Sequence, residues 1–340
     1  MEAGRQLLEG DYLETFDGLI FAVKGFLHPP GLVVAFPKYR ESREGGRVRA
    51  GRSYARIGSL SEAYSLLERQ YPWYLRPDPV FGEAMPEIPQ NKIVSYYSPR
   101  AFLGGLRARG RLGCLDRVEE ECLEMACLLS EASGVPLERF GVSGSTMLGL
   151  HRTDSDIDLI VYGFREGLKV YEALGRLLRE SEGVVRPYSR SGLRRLWESR
   201  LRDTEVSFEA FERLEAGRRL EGYFKGREYF IRLINPPAEA YGECRFRRVG
   251  WVEAEAVVDR GSQPSFTPCL YKLRNVKVLK GESPEPPVEA YSLRGRFCEA
   301  AREGEKVLVS GKLEEVASVK RKYFRIVLGG DRNDRIIPVL

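Results

Sequence analysis

The sequence predicts an α/β (α+β) chain, with a central mixed-sheet domain between an N-terminal β-rich module and a small C-terminal β-barrel. Three observations carry this. Apolar residues between 112 and 129 recur at spacings of three and four, the period of one buried helical face. Short apolar runs bounded by turn residues dominate the first 40 residues and return after residue 241. The 340 residues suit two or three domains of roughly 100–200 residues each. The expected domains are 1–104, 105–240 and 241–340, with Pro236-Pro237 marking the second boundary.

In the first module, Tyr12–Phe16 and Leu19–Leu27 flank Asp17-Gly18, a hairpin signal because both turn residues tolerate positive φ. His28-Pro29-Pro30-Gly31 reads as a turn, Leu32–Tyr39 as a third strand and Glu41–Arg47 as an exposed loop. Ser61 is expected to cap a helix over Glu62–Arg69, and irregular Pro-rich chain to follow from Pro72 to about Pro99. Tyr54, Arg56, Tyr71, Trp73, Tyr74 and Arg76 mix aromatic and basic side chains. Core packing is the default for such residues in a small β domain; stacking on single-stranded nucleic acid is the alternative.

In the middle segment, Leu112, Leu115, Val118, Cys122, Met125 and Leu129 form one helical face, ended by Gly134. Phe140–Ser143 reads as a strand, Gly144–Leu150 as a short helix, Asp156–Tyr162 as a strand and about Glu166–Glu180 as a helix. Glu221–Phe224 and Tyr229–Ile234 are expected strands joined through Lys225-Gly226-Arg227. The last segment shows Trp251–Asp259, Cys269–Leu279, Val288–Leu293, Lys306–Val309, Lys312–Val316 and Tyr323–Leu328, the density of short strands a small barrel needs. Gly304–Leu313 resembles a strand pair of an OB-fold barrel. Lys320-Arg321-Lys322 is expected in a solvated hairpin, with a nucleic-acid contact as the alternative.

Composition narrows the function. With 43% hydrophobic and 30% charged residues, the chain is of ordinary globular type rather than disordered. No apolar run approaches the roughly 18 residues of a membrane span, so no membrane partner is expected. Met1–Tyr12 lacks the basic stretch and apolar core of a secretory signal. The net charge of +5 permits an acidic partner such as nucleic acid without requiring one. Cys114, Cys122, Cys127, Cys244, Cys269 and Cys298 form no CxxC pair, and only His28 and His151 could join them, so zinc is not expected. A reducing cytoplasm fits this usage.

The informative stretch runs from Gly141 to Val161. Side chains alternate along a strand, so Asp156 and Asp158 project from one face and Ile157, Leu159 and Val161 from the other. Two adjacent carboxylates repel unless a cation lies between them, and oxygen ligands select Mg²⁺ or Mn²⁺. Ser143 and Gly144 close a strand and open a helix, whose unpaired N–H groups suit a phosphate. Gly144 lets the backbone approach closely and Ser145 adds a hydroxyl. Arg152 is placed to reach a triphosphate or to stay a surface charge, and His151 is a loop imidazole with no expected catalytic role. Alone, each feature has a plain explanation: a helix cap, or solvated strand-end carboxylates. Together they suit a nucleoside triphosphate and its metals.

This arrangement resembles the DNA polymerase beta-like nucleotidyltransferase superfamily, whose pattern is an apolar residue, Gly-Ser, a spacer, then Asp-apolar-Asp-apolar. Gly144-Ser145, the ten residues Thr146–Ser155, and Asp156-Ile157-Asp158-Leu159 match; Ser143 stands where the apolar residue is expected. The chain is also similar to an archaeal family of predicted nucleotidyltransferases in its Gly10–Thr15 and His28-Pro29-Pro30 segments. The resemblance implies a nucleotidyltransferase core within 105–240. Asp156 and Asp158 would hold Mg²⁺ or Mn²⁺, and Gly144 and Ser145 would hold the β- and γ-phosphates. A nucleoside monophosphate would pass to an acceptor hydroxyl, on RNA, DNA, a small molecule or a protein, releasing pyrophosphate.

It also implies a third carboxylate that helps deprotonate the acceptor. The family pattern puts it just before Ile231-Arg232-Leu233-Ile234, where this chain has Phe230. Glu228, two residues earlier on the same face, is the candidate substitute, with Glu205 and Glu209 behind it. Two rival functions follow: a degenerate adaptor that binds nucleotide or RNA, and a protein-modifying transferase. A carboxylate beside Asp158 favours the enzyme, an apolar residue there the adaptor.

Overall fold

The computed structural model describes residues 7–180, 183–200 and 206–339. The chain divides into two units, each discontinuous in sequence. Unit 1 is Met1–Asp78, Ala84–Val185 and Tyr223–Pro237; unit 2 is Pro79–Glu83, Arg186–Gly222 and Ala238–Leu340. The N-terminal module thus shares a unit with the Gly144–Asp158 region, while Arg186–Gly222 belongs with the C-terminal strands. The boundary expected at Pro236-Pro237 falls between Pro237 and Ala238.

Unit 1 begins with β1 (Tyr12–Thr15) and β2 (Leu19–Val23), joined at Asp17-Gly18 with Gly18 at φ +76°. Then come β3 (Leu32–Glu41), β4 (Arg47–Arg49), β5 (Arg52–Arg56), α1 (Leu60–Gln70), β6 (Leu75–Asp78), β7 (Glu83–Pro89) and β8 (Ile93–Tyr97). The sheet order is β4-β5-β3-β2-β1-β8, with β7 paired to β3 and β6 to β7. The stretch expected to be irregular therefore contains three strands. They are set by long-range pairing, Val33 with Ile88 and Val34 with Glu87, which local periodicity does not register. Ser59, not Ser61, caps α1, its Oγ accepting the Glu62 N–H at 3.1 Å.

One face of this sheet buries Leu13, Phe21, Val33 and Ala35 against Leu67 of α1 and Tyr74. The other carries Ile20, Tyr39 and Tyr54, packed on Leu148 and Leu150 with Tyr12 and Tyr97 alongside. Tyr39 reaches that second face through a bulge. Phe21 pairs with Pro37 and Ile20 with Tyr39, so Lys38 is an extra residue in β3. Strict alternation would place Tyr39 beside Val33 and Ala35; the extra residue sets it opposite Ile20 instead.

The second sheet of unit 1 follows α2 (Pro99–Gly110) and α3 (Arg117–Ser133). It contains β9 (Phe140–Val142), β10 (Ile157–Tyr162), β11 (Val185–Arg186), β12 (Glu221–Phe224) and β13 (Arg227–Ile234), in the order β11-β12-β13-β10-β9. The short helix α4 (Gly144–Met147) and helix α5 (Phe164–Leu177) flank β10 in sequence. Strand β10 runs parallel to β13 and antiparallel to β9, so the sheet is mixed, as expected. Helix α3 begins later than its periodicity suggests. Asp116 caps it in a capping box with Glu119, leaving Leu112 76% exposed in the preceding turn. Val118, Cys122, Met125 and Leu129 are its buried face.

Unit 2 opens with α6 (Arg190–Arg200) and α7 (Phe208–Glu215), joined by Leu193, Phe208 and Phe211 with Trp197 packed on them. Its strands are β14 (Cys244–Val258), β15 (Phe266–Thr267), β16 (Cys269–Lys280), β17 (Glu289–Ser292), β18 (Lys306–Ser318), β19 (Lys322–Val327) and β20 (Arg335–Pro338). The path β14-β16-β17-β19-β18 closes back onto β14, forming a five-stranded barrel whose β17 and β19 are parallel. Lys306–Val309 and Lys312–Val316, expected as two strands, are one strand. Gly311 marks a tight crossing rather than a turn: a Cβ there would lie 2.6 Å from the Val327 carbonyl oxygen. Glu299 fixes the chain after α7 to the barrel, accepting the N–H groups of Arg219 and Leu220 at 3.0 and 3.1 Å. Among the described residues no helix is long and apolar enough to cross a membrane.

Candidate functional site

Strand β9 lies antiparallel beside β10, with Val142 opposite Leu159. The chain therefore leaves β9 next to Asp158, whose carbonyl accepts the Ser143 N–H at 2.9 Å. Gly144 follows at φ +65°, and a Cβ on it would stand 1.9 Å from Asp158 Oδ2 and 2.8 Å from Cγ. The turn and the aspartate touch, and only glycine fits between them. Helix α4 has four residues. Ser145 is buried, with its Oγ 3.4 Å from Ser155 Oγ, which also accepts the Arg152 N–H at 2.9 Å. Its hydroxyl thus ties the turn to the loop that delivers Asp156.

Asp156 is exposed and immediately precedes β10; Asp158 is half-buried within it. Ile157, Leu159 and Val161 are buried on the other side, as the alternation predicts. Burial and the Asp156 charge push the Asp158 carboxyl up to about 7, against the opposing pull of Arg232, Lys38 and Arg56. The preceding loop is held from two sides. Arg227 donates to the carbonyls of Thr153 and Ser155 at 2.8 and 2.7 Å and pairs with buried Glu121. His151 Nε2 lies 2.7 Å from Asp116 Oδ2, so its visible task is to fasten the loop to the start of α3. Arg152 is exposed and paired with Asp154 at 3.2 Å.

In the parallel register, Asp158 is paired with Phe230 and Ile157 with Tyr229. One step back, Glu228 is exposed at the start of β13, on the side of Asp156. Glu205 lies outside the described residues. Glu209 sits in the first turn of α7, in unit 2. Among the described residues no group of three or more His, Cys, Asp or Glu side chains is placed to hold a metal ion. The donors at hand are the carboxylates of Asp156 and Asp158. This hard-oxygen pair fits Mg²⁺, which is commonly held by one or two carboxylates, water and the phosphates of its substrate.

Sequence reasoning did not anticipate that the N-terminal sheet borders this site. Ser143 Oγ donates to the Gly10 carbonyl at 2.7 Å, and a Cβ on Gly10, at φ +97°, would meet Ile160 Cδ1 at 2.1 Å. Arg47 Nη1 donates to the Leu150 carbonyl at 2.6 Å. Glu9 pairs with Arg232 of β13 and with Lys24 at 3.0 Å. Burial first, then the Asp158 charge, pushes the Tyr12 hydroxyl well above its usual range. Tyr39 is raised mainly by burial. The aromatic and basic mixture of the N-terminal module mostly resolves into structure. Tyr54 and Tyr74 are buried in the two faces of the sheet, Trp73 is half-exposed and Arg56 is exposed. The Lys320–Lys322 run lies at the β18–β19 hairpin, where Lys322 pairs with Glu315 at 2.7 Å.

No family model matches the chain, and no solved structure does. It is 28% identical over 334 residues to the uncharacterized protein MJ1086 of Methanocaldococcus jannaschii, covering 95% of each chain.

Proposed function

We propose that the chain is a metal-dependent nucleotidyltransferase working between Gly144 and Asp158. The observation that carries this reading is the contact between the Gly144 turn and the Asp158 carboxylate, which leaves no room for a side chain at position 144. A turn that offers backbone N–H groups and a carboxylate pair that invites a divalent cation then serve one ligand, a nucleoside triphosphate. Asp156 and Asp158 would hold Mg²⁺ or Mn²⁺, which supplies charge stabilisation at the entering and leaving oxygens. Gly144 and Ser145 would orient the β- and γ-phosphates. An acceptor hydroxyl attacks the α-phosphorus in line, the bond to pyrophosphate breaks, and the hydroxyl proton passes to a nearby base, for which Glu228 is the candidate. The barrel, if OB-like in use as in strand count, favours RNA or DNA as acceptor by analogy of fold. A reducing cytoplasm suits the six free cysteines.

Phe230 beside Asp158 favours a second reading, in which the same fold binds nucleotide or RNA as an adaptor without transfer. One experiment separates them. The protein is incubated with α-labelled nucleoside triphosphates, Mg²⁺ or Mn²⁺, and cellular RNA, DNA and protein. Transfer predicts label in one fraction, lost in Asp158→Asn; label in protein alone identifies a protein-modifying enzyme. Nucleotide binding with no label in any fraction identifies the adaptor.

A further inference from the structure

We infer that the outer face of the C-terminal barrel carries a binding cleft for single-stranded nucleic acid, in which Trp251 stacks on a base while Arg248, Lys280 and Arg335 meet the phosphates. The cleft lies wholly within unit 2 and does not require the nucleotide site; where transfer occurs, it gives the acceptor a place to bind.

Strand register builds the floor. Lys280 of β16 pairs with Glu253 of β14, Glu253 with Ser310 of β18, and Ser310 with Arg335 of β20, all antiparallel. Direct partners share a face, so the four side chains form one row across four strands. Trp251 stands two residues before Glu253 and shares its face, while Val252, Ala254 and Val309 are fully buried on the other, inside the barrel. A bulge sets one end of the row. Glu253 pairs with Lys280 and Ala254 with Val278, so Leu279 is the extra residue and a cation, not a leucine, stands opposite Glu253. Gly281, at φ +77°, keeps that end close: a Cβ on it would lie 2.1 Å from the Trp251 carbonyl oxygen.

The loop before β20 forms the opposite wall. Asp334 Oδ2 accepts the N–H groups of Gly329, Gly330 and Asp331 at 2.8, 2.9 and 2.9 Å. Ser310 Oγ donates to the Asn333 carbonyl at 2.9 Å, tying the loop to the floor. Asp331 and Asn333 line the cleft, whose volume is about 460 Å³, within the usual range for ligand clefts.

Charge and ring together select the ligand. Glu253 is buried, with Oε1 2.8 Å from Lys280 Nζ and Oε2 2.6 Å from Arg335 Nη2. One carboxylate between two cations fixes both and leaves a positive charge over. Arg248, which is exposed, adds another, and Asp331 offsets one of the two. The lining therefore favours an anion. Other rings of the barrel are covered by a guanidinium: Arg325 lies 4.7 Å from the Phe246 ring and 4.2 Å from that of Tyr291, and Arg321 lies 4.9 Å from that of Tyr323. Among the described residues, no cation or aromatic ring covers half-buried Trp251. An acidic peptide would use the cations and leave the indole idle; a nucleic-acid strand uses both, by stacking a base and pairing its phosphates.

The test is strand binding without nucleoside triphosphate. Fluorescence anisotropy of labelled strands of about 12 nucleotides, RNA and DNA, is measured at several salt concentrations for the full-length parent, Trp251→Ala, Trp251→Phe and Arg248→Gln. Trp251→Ala should weaken binding by about tenfold or more, and Trp251→Phe should recover most of the loss. Arg248→Gln, at an exposed position, should lower the slope of log affinity on log salt by about 0.7, the loss of one phosphate contact on a single strand. That slope decides the matter if Trp251→Ala does not fold. The tighter of the two strands is the ligand. A parent that binds neither strand, parent-like binding by folded Trp251→Ala, or an unchanged slope in Arg248→Gln overturns the cleft. So does displacement of the strand by polyglutamate with Trp251→Ala unaffected, which would give the face to an acidic protein. The transferase reading fails separately: strand binding with no label transfer keeps the cleft, and label transfer with parent-like strand binding by Trp251→Ala removes it.

Discussion

Phe230 is the β-sheet partner of Asp158, and the guanidinium of Arg232 lies 5.3 Å from the centre of its ring. An aromatic ring thus stands where the resemblance implies a third carboxylate, and it supports a cation instead. On the proposed function the candidate base is Glu228, two residues before Phe230 on the same strand.

That makes Glu228 the first test. Glu228→Gln keeps size and hydrogen bonding and removes the charge. On the proposed function, single-turnover transfer should slow by about 10²-fold or more, with ATP affinity changed less than about twofold, because the two carboxylates proposed to hold the nucleotide's metal are untouched. A parent-like rate in this variant would remove Glu228 from the mechanism.

Gly144→Ala is expected to be costly for two separable reasons. Positive φ disfavours alanine by about 1 kcal/mol, and its Cβ would collide with Asp158. Denaturant unfolding should show a loss of about 3 kcal/mol in the parent but only about 1 kcal/mol when Asp158 is already alanine. Additive losses in the double variant would mean that the two residues do not touch.

Glu87 provides a pH test far from the chemistry. Burial, followed by the hydrogen bond and charge of Asp78, pushes its carboxyl up to about 8, with Arg76 opposing. The folded chain keeps a proton that the unfolded chain releases near the ordinary glutamate value of 4.5. The stabilisation from this site is complete below that value, declines as pH rises toward 8, and is lost above it. Glu87→Gln, neutral at every pH, should therefore gain about 1–2 kcal/mol at pH 9 and almost nothing at pH 4, read from urea midpoints at both values. A gain of equal size at both would point to packing rather than charge.

Removing residues 241–340 tests the division of the chain. Because Glu299 holds the backbone of Arg219 and Leu220, and Arg218 donates to the Arg296 carbonyl, the truncation strips Arg186–Gly222 of its partners. Limited proteolysis should cut within that segment in the truncated chain and spare it in the parent. Equal resistance would mean that α6 and α7 fold on unit 1.

How much of this was legible beforehand depended on the range of the interactions. The pairing of Gly144-Ser145 with Asp156 and Asp158, and the buried alternation of Ile157, Leu159 and Val161, are local and were readable. So were the mixed sheet and the presence of a barrel, though not the length of its strands: β14 runs from Cys244 and β18 continues through Gly311, where local turn signals suggested breaks. Helix α2 was missed because Gly104 and Gly105 dilute its apolar pattern, although Ser98 and Pro99 provide a regular start. Strands β7 and β8 were missed because their partners, β3 and β1, are distant in sequence, and β6 because Pro77 interrupts it and its partner is β7. The N-terminal wall of the site was invisible for the same reason: no local pattern announces that Gly10 will lie against Ser143 and Ile160.

The extra residue at Lys38 makes chain length itself informative. An insertion of one residue usually shifts a loop; here it sits inside a strand, so that Val33 and Ala35 face α1 while Tyr39 faces Leu148 and Leu150 after the Gly144 turn. A relative with one residue fewer between Val33 and Tyr39 would pair Ile20 and Phe21 with consecutive residues of β3 and keep Tyr39 opposite Ile20, so both halves of the strand would hold their faces. What it would lose is the local bend and added twist that an unpaired residue gives a strand. A gap at this position among relatives is therefore a mark of strand shape rather than of which side chains face the Gly144 turn.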